Sequence, residues 1–285
     1  MLNEQDLLWP QWPAPENIRA MMSRRLGGVS QGPYSSLNLR PATFADRTDQ
    51  GLVRDELRAI AQNQQLYAQA LQARPVYLHQ VHGAEVVQLH EHTPDFLRAD
   101  AAVSVEVGVA PTVLVADCLP VLFCTADGHV VGAAHAGWRG LASGVLENTV
   151  SAIRGLSRQI DTEIYAWLGP CIGPSAFEVG EDVLQAFGVD PGAATKSEFN
   201  SELCFRAVEK SNGPQRWLAN LPLLARHRLR QQGVLHIAGG HWCTYSDAEH
   251  FFSYRREPIT GRMAASVCKK SNNLSQKNDA KKGLL

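Results

Sequence analysis

TVLVADCLPVLFCTADGHVVGAAHAGWRG, residues 112–140, is the stretch that decides the fold. Three apolar runs, 112–116, 120–125 and 129–134, are each short enough for a strand and are separated by turn residues. Gly137 and Gly140 then make a turn, and a helix is expected over roughly 140–154. Its apolar face would be Ala142, Leu146, Val150 and Ile153. Strand, strand, strand, turn, helix is the grammar of a sheet with a helix laid on one face.

Working outward, further strands are expected at 75–81, 84–89, 100–105, 163–169 and 234–240, and around 251–255. Helices are expected at 49–63, with Val53, Leu57, Ile60 and Ala61 on one face, at 180–188, and after Asn220. Asn220 is a natural N-cap, Pro222 suits the first turn and Gly233 stops the helix. Residues 1–20 carry Trp9, Trp12 and three prolines and are expected to wrap the surface. Many strands with few helices indicate an α+β fold rather than a regular βαβ winding. No Pro/Ser/Gly tract separates two patterned halves, so residues 1–268 are read as a single domain. The lysine-rich, aperiodic segment 269–285 is expected to be a disordered tail.

Composition narrows the function. The chain has 285 residues, 45% hydrophobic, enough for a sizeable core. A formal net charge of -1 argues against nucleic acid as a partner. No apolar run reaches spanning length and the N-terminus lacks a signal-peptide pattern, so neither membrane nor export is expected. Six cysteines without a CxxC or a dense framework suit reduced thiols and a cytoplasmic setting.

His82, Cys118 and His135 form the constellation that carries chemistry. Each lies beside a Gly or an Asp/Pro break at a strand end, in VYLHQVHG (76–83), ADCLP and AAHAG. Two imidazoles and a thiolate suit zinc (Zn2+), with copper (Cu2+) as the second candidate. Three protein ligands leave a fourth position open, as in catalytic sites. Each residue alone also has an ordinary reading as core or strand-end residue, and spacings of 36 and 17 are not those of a zinc finger. His79 and His82 differ by three and would face opposite sides of a regular strand. Parity leaves open which of them joins the site. Asp117 reads equally as a base beside the metal or as a turn acceptor. Arg139, between two glycines at a helix start, is a candidate for holding phosphate or carboxylate, with Arg25 and Arg255 as further cations. Cys171, in GPCIGP (169–174), is a candidate thiol nucleophile. HExxH and the HxE…PCxxC deaminase pattern are absent, and a single HxH (His90, His92) is too little for a multicopper centre.

LHQVHG, ADCLPVLF, AAHAGWRG, LGPCIGP…FEVG and FFSYRR…TGRMA together resemble the bacterial laccase-domain, or polyphenol-oxidase-like, family, over roughly residues 20–267. The resemblance implies a four-layer α/β/β/α sandwich with mixed sheets. It implies that His82, rather than His79, joins Cys118 and His135 as metal ligand. It implies a purine nucleoside phosphorylase for adenosine, inosine and methylthioadenosine with associated adenosine deamination. Alternatives within the same resemblance are a metal-dependent amidase editing muramyl-peptide precursors and a copper-dependent polyphenol oxidase. The expected partners are a small-molecule nucleoside and phosphate, and the expected state is monomer or homodimer. Asp117, Arg139 and Cys171 are the expected catalytic residues. Arg25, Asn38, His79, Gln80, Gly137 and Arg255 are expected to bind substrate. Arg40 after Asn38-Leu39, Glu56-Leu57, and His241-Trp242 depart from the family pattern, at the pocket rim rather than at the metal ligands.

Overall fold

A computed structural model describes residues 1–41, 55–159, 161–191, 204–209 and 213–271. Its centre is the pair of runs quoted above. β7 (Val109–Val115) and β8 (Leu119–Thr125) lie in different sheets, joined by the tight turn that carries Asp117 and Cys118. β8 pairs antiparallel with β9 (Val131–Ala136), with Pro120 opposite His135. Both faces of these strands are covered, so they read as continuous apolar runs rather than alternations.

The first sheet has the order β1-β2-β15-β7-β3-β5 and includes β1 (Leu7–Leu8), β2 (Ile18–Ser23), β3 (Arg74–His79), β5 (Leu97–Arg98) and β15 (Met263–Lys269). The second runs β14-β10-β8-β9-β6-β4, with β4 (Val86–Leu89), β6 (Ala101–Ser104), β10 (Ile164–Leu168) and β14 (His236–Gly239). Both mix parallel and antiparallel pairs. A small third sheet joins β11 (Glu178–Val179), β13 (Arg216–Ala219) and β12 (Phe205–Val208).

Strand parity sorts the core into layers. Leu122 and Cys124 of β8, Val131 and Ala133 of β9 and Trp167 of β10 face the first sheet, where they meet Met22, Val76, Val113 and Val267. Val121, Phe123, Ala134 and Leu168 face the other way, onto α3 (Val145–Leu156) and α5 (Leu221–Gln231). On the outer face of the first sheet, α1 (Leu57–Leu71) packs Tyr67 and Leu71 against Met21, Tyr77 and Ala264. The result is helix, sheet, sheet, helix: the expected four layers and the expected α+β class.

Several expectations change. The helix expected at 140–154 is two, α2 (Trp138–Ala142) and α3, divided at Gly144, whose φ of +92° breaks the ladder. The helix expected at 49–63 begins at Leu57, which is exposed, and its buried positions are Ile60, Asn63, Tyr67 and Leu71. Residues 49–54 lie outside the described residues. No strand forms at 251–255: Phe251 and Phe252 are buried, and the Arg256 guanidinium folds back onto the carbonyls of Thr244, Tyr245 and Phe251. Instead β2 and β15 supply strands that were not expected. β15 runs one residue past the expected domain edge, and the Lys269 ammonium donates to the Val105 carbonyl at 2.8 Å. Of the expected tail, 272–285 lie outside the described residues. Among the described residues no helix is long and apolar enough to cross a membrane. α5 matches its signals: Asn220 Oδ1 accepts from the Leu223 N–H at 3.1 Å, and Leu221, Leu224, Ala225 and Leu229 are buried.

Candidate metal centre

Three chain segments end at one corner of the second sheet. His82 follows β3 in a turn, Cys118 precedes β8 and His135 is the penultimate residue of β9. One ligand atom from each lies within 4.8 Å of the others. Cys118 Sγ and His82 Nε2 are 3.8 Å apart, and the two imidazole rings meet edge to face with centroids 4.8 Å apart. His135 is buried, Cys118 half-buried and His82 exposed, so one side of the cluster opens to solvent.

The backbone at two of these corners is unusual. His82 has φ +59° and Asp117, beside Cys118, has φ +98°. Left-handed backbone at a non-glycine residue costs roughly 1–3 kcal/mol and persists where surroundings impose it. At each corner a carboxylate imposes it. Asp100 is completely buried, and its oxygens accept the N–H groups of Val81 (3.0 Å), His82 (2.9 Å) and Gly83 (2.7 Å). It also meets His135 Nδ1 at 2.8 Å. The Asp117 carboxylate accepts from the Thr244 hydroxyl at 2.6 Å and the Arg255 N–H at 2.7 Å. The glycines of AHAGWRG answer to close approach. A Cβ on Gly137 would lie 3.0 Å from both Cys118 Sγ and His82 Cδ2, and one on Gly140 would lie 2.7 Å from the Gly83 carbonyl.

Electrostatics prepare the donors. Burial pushes the Cys118 thiol up, but the charge and hydrogen bonds of His135 and His82 outweigh it and bring it down to about 6. For His135, burial works against the charged form, and the Cys118 thiolate and Asp100 carboxylate overcome it, raising the imidazole to about 9. Without a metal the pair therefore favours thiolate and imidazolium near neutral pH. The donor set, two ring nitrogens and a thiolate with an open side, fits a zinc or copper ion.

The sequence pattern of the multi-copper polyphenol oxidoreductase laccase family matches residues 19–270. The chain belongs to that family. It is 45% identical over 260 residues to a Pseudomonas aeruginosa protein named purine nucleoside phosphorylase, covering 91% of this chain and 97% of that one. It is 45% identical over 262 residues to the purine nucleoside phosphorylase YfiH of Escherichia coli, covering 92% of this chain and 98% of that one. The crystal structure of a Neisseria meningitidis protein superposes with a TM-score of 0.79 at 40% identity, over 93% of this chain and all of the other. YlmD from Geobacillus stearothermophilus gives 0.78 at 26% identity, over 95% and 98%.

Around the triad the other expected site residues fall into three groups. Gln80 and Asn38 are occupied by backbone: the Gln80 amide exchanges two hydrogen bonds with Leu114, and Asn38 Oδ1 accepts the N–H groups of Arg40 and Arg262. Both side chains extend the scaffold through these bonds. His79 ends β3, exposed and outside the triad. The Cys171 thiol is fully buried, and burial together with Cys243, Cys118 and Asp117 pushes it well above the ordinary range. A thiol kept protonated away from solvent is a poor nucleophile. Cations make the third group. Arg139 is exposed with its guanidinium 4.3 Å over the Trp138 ring, and the five residues of α2 leave little helix dipole behind it. Arg25 donates to the Ala248 carbonyl and lies 4.9 Å over Phe252; Arg255 donates to the Glu178 carbonyl.

Sequence reasoning missed Asp100 and Cys243. The Cys243 sulfur accepts from the Gly173 N–H at 3.2 Å and the Ser246 hydroxyl at 3.3 Å, and Cys171 lies across a β-bridge from it. The donors to Asp100, and Gly173 and Cys171 beside Cys243, come from segments distant in sequence.

Proposed function

We propose that the chain is a metal-dependent purine nucleoside phosphorylase, cleaving adenosine, inosine or methylthioadenosine with phosphate, with His82, Cys118 and His135 holding zinc. The observation that carries this reading is identity of 45% across more than nine-tenths of the chain to relatives named purine nucleoside phosphorylase. The triad with its solvent-facing side supports it. A cytoplasmic enzyme using small molecules fits the composition.

In phosphorolysis the C1′–N9 bond breaks, a phosphate oxygen bonds to C1′ and the purine leaves with a proton. The residues hold the reactants for that exchange. His82 and Cys118 face the opening and would contribute Nε2 and Sγ to the ion; His135 would contribute Nε2, since its Nδ1 meets Asp100. A bound dication supplies Lewis acidity and, at an open position, a water with a pKa near 7. Arg139 is the first candidate for phosphate, through two parallel N–H donors, with Arg25 and Arg255 as further candidates. The short α2 means that Arg139 rather than a helix dipole carries this role. Asp117 shapes the Cys118 corner.

The open side of the cluster also favours adenosine deamination, in which water displaces the amine at C6. The donor set favours copper chemistry too, and the family's description names polyphenol oxidation. A single triad among the described residues argues for one ion and against a multicopper centre. The test is hypoxanthine release from inosine by zinc-loaded protein, with and without phosphate. Phosphate-dependent release supports the phosphorylase. No release in either condition overturns it and makes hydrolysis of a muramyl-peptide amide the next assay. Conversion of adenosine to inosine without phosphate separates the deaminase.

A further inference from the structure

We infer that Asp100 is the positioning residue of the metal centre: one carboxylate sets both the ring nitrogen that His135 presents and the place of His82. The inference rests on the reading that the triad binds metal.

A carboxylate offers about four lone-pair sites and no donor. In Asp100 all four have a partner. Oδ1 takes the His82 N–H at 2.9 Å and meets His135 Nδ1 at 2.8 Å; Oδ2 takes the Val81 N–H at 3.0 Å and the Gly83 N–H at 2.7 Å. The main chain ties the same two segments again, because the His135 N–H donates to the Asp100 carbonyl at 2.7 Å. Asp100 is completely buried, so no solvent substitutes for a lost partner.

Two consequences follow. With Nδ1–H directed at Asp100, the lone pair of His135 sits on Nε2, the atom turned toward Cys118 and His82. With three consecutive N–H groups drawn to one carboxylate, the 81–83 turn is held in the left-handed bend that places His82. Asp100 touches none of the three ligand atoms proposed to meet the metal, so its effect on the ion passes through His82 and His135. Hydrogen-bond partners of this kind raise metal affinity by roughly 10- to 100-fold.

Asp100→Asn is a sharp test because an amide cannot reproduce four acceptors. If its oxygen faces His82 and His135, its NH2 opposes the N–H groups of Val81 and Gly83, and the turn is released. If the amide flips, its NH2 faces His135, which must then accept at Nδ1 and carry its proton on Nε2, unable to ligate. Either way one ligand is misplaced. Zinc affinity is measured by chelator competition on full-length wild-type and Asp100→Asn proteins, with far-UV circular dichroism as the control. A 10- to 100-fold weaker Kd with unchanged secondary structure is expected. A Kd within twofold of wild type overturns the inference. Failure of wild type itself to bind zinc overturns the metal reading instead. Should Asp100→Asn not fold, nitrogen-15 NMR of the zinc-loaded wild type decides. A protonated Nδ1 and a metal-bound Nε2 at His135 are expected, and the reverse assignment overturns it.

Discussion

The Asp117 carboxylate accepts the backbone N–H of Arg255 at 2.7 Å, across 138 residues of chain. The same carboxylate takes the Thr244 hydroxyl at 2.6 Å, and the Asp117 carbonyl accepts the Ile172 N–H at 2.9 Å. One residue thus ties the Cys118 corner to both the 169–174 and the 244–255 segments. We propose that Asp117 supports the site through these contacts. Asp117→Ala removes a charged acceptor from two donors, each worth about 1.5–3 kcal/mol, and leaves a non-glycine at φ +98° without its clamp. The expected outcome is a fall of about 3–6 kcal/mol in unfolding free energy, read by denaturant titration, together with weakened zinc binding. Thr244→Val should reproduce about half of it. Unchanged stability with abolished turnover would return Asp117 to the role of base.

Gly137 tests how tightly the ligands are gathered. A methyl there would lie 3.0 Å from Cys118 Sγ and from His82 Cδ2, closer than ordinary contact. Its φ of -61° suits alanine, so the backbone has no objection. Gly137→Ala should therefore leave the melting temperature within a few degrees while lowering bound zinc, measured by elemental analysis after dialysis, at least tenfold in affinity. Full zinc occupancy at wild-type affinity would show that the ligands have room to shift.

The layer formed by α1 allows a graded test of stability. Leu71 is completely buried against the first sheet, and Leu71→Ala should cost about 2–5 kcal/mol. Tyr67, equally buried, donates to the Ala264 carbonyl or the Ser266 hydroxyl, at 3.1 and 2.9 Å. Tyr67→Phe keeps the ring and should cost about 1 kcal/mol. Chemical denaturation of both variants checks the order, and the reverse order would mean that α1 is held mainly by its polar contacts.

These assignments show what was legible in the residues. β7 to β10 could be read because burial on both faces demands unbroken apolar runs. α5 could be read because its cap, proline and stop glycine are local signals. β2 and β15 could not: IRAMMS and MAASVCK carry small residues and unbranched methionines, and become strands because each pairs with neighbours far away in sequence. The aromatic FFSYR segment invited the opposite error, since its two phenylalanine rings are buried from a turn. At the site, the ligand types pointed to a metal, and parity failed on His79 and His82 because β3 ends at His79 and the chain then turns. Asp100 sits in LRADAA, where an aspartate reads as an ordinary turn acid. Its donors come from residues 81–83 and 135 and converge only in the fold.

The cysteines give the final prediction. Cys118 is half-buried and lowered to about 6 by His135 and His82, so in metal-free protein it is mostly thiolate at pH 7. Cys243 is half-buried; burial raises it, but the Ser246 hydroxyl and the N–H groups of Ser246, Gly173 and Tyr245 bring it below the ordinary thiol value. Cys171 is pushed well up, and Cys124 to about 12, by burial. Since the thiolate is the nucleophile, iodoacetamide should label Cys118 first and Cys243 second, with Cys171 and Cys124 unlabelled while the fold holds. The sign with pH follows: labelling of Cys118 should rise through about pH 6 in metal-free protein. In His135→Gln the midpoint should move up towards the ordinary thiol value of 9.0. Zinc should protect Cys118 and leave Cys243 reactive. Peptide mass spectrometry reads all three. If zinc protects neither cysteine, Cys118 is not the ligand, and the triad loses the donor that distinguishes it from a pair of neighbouring histidines.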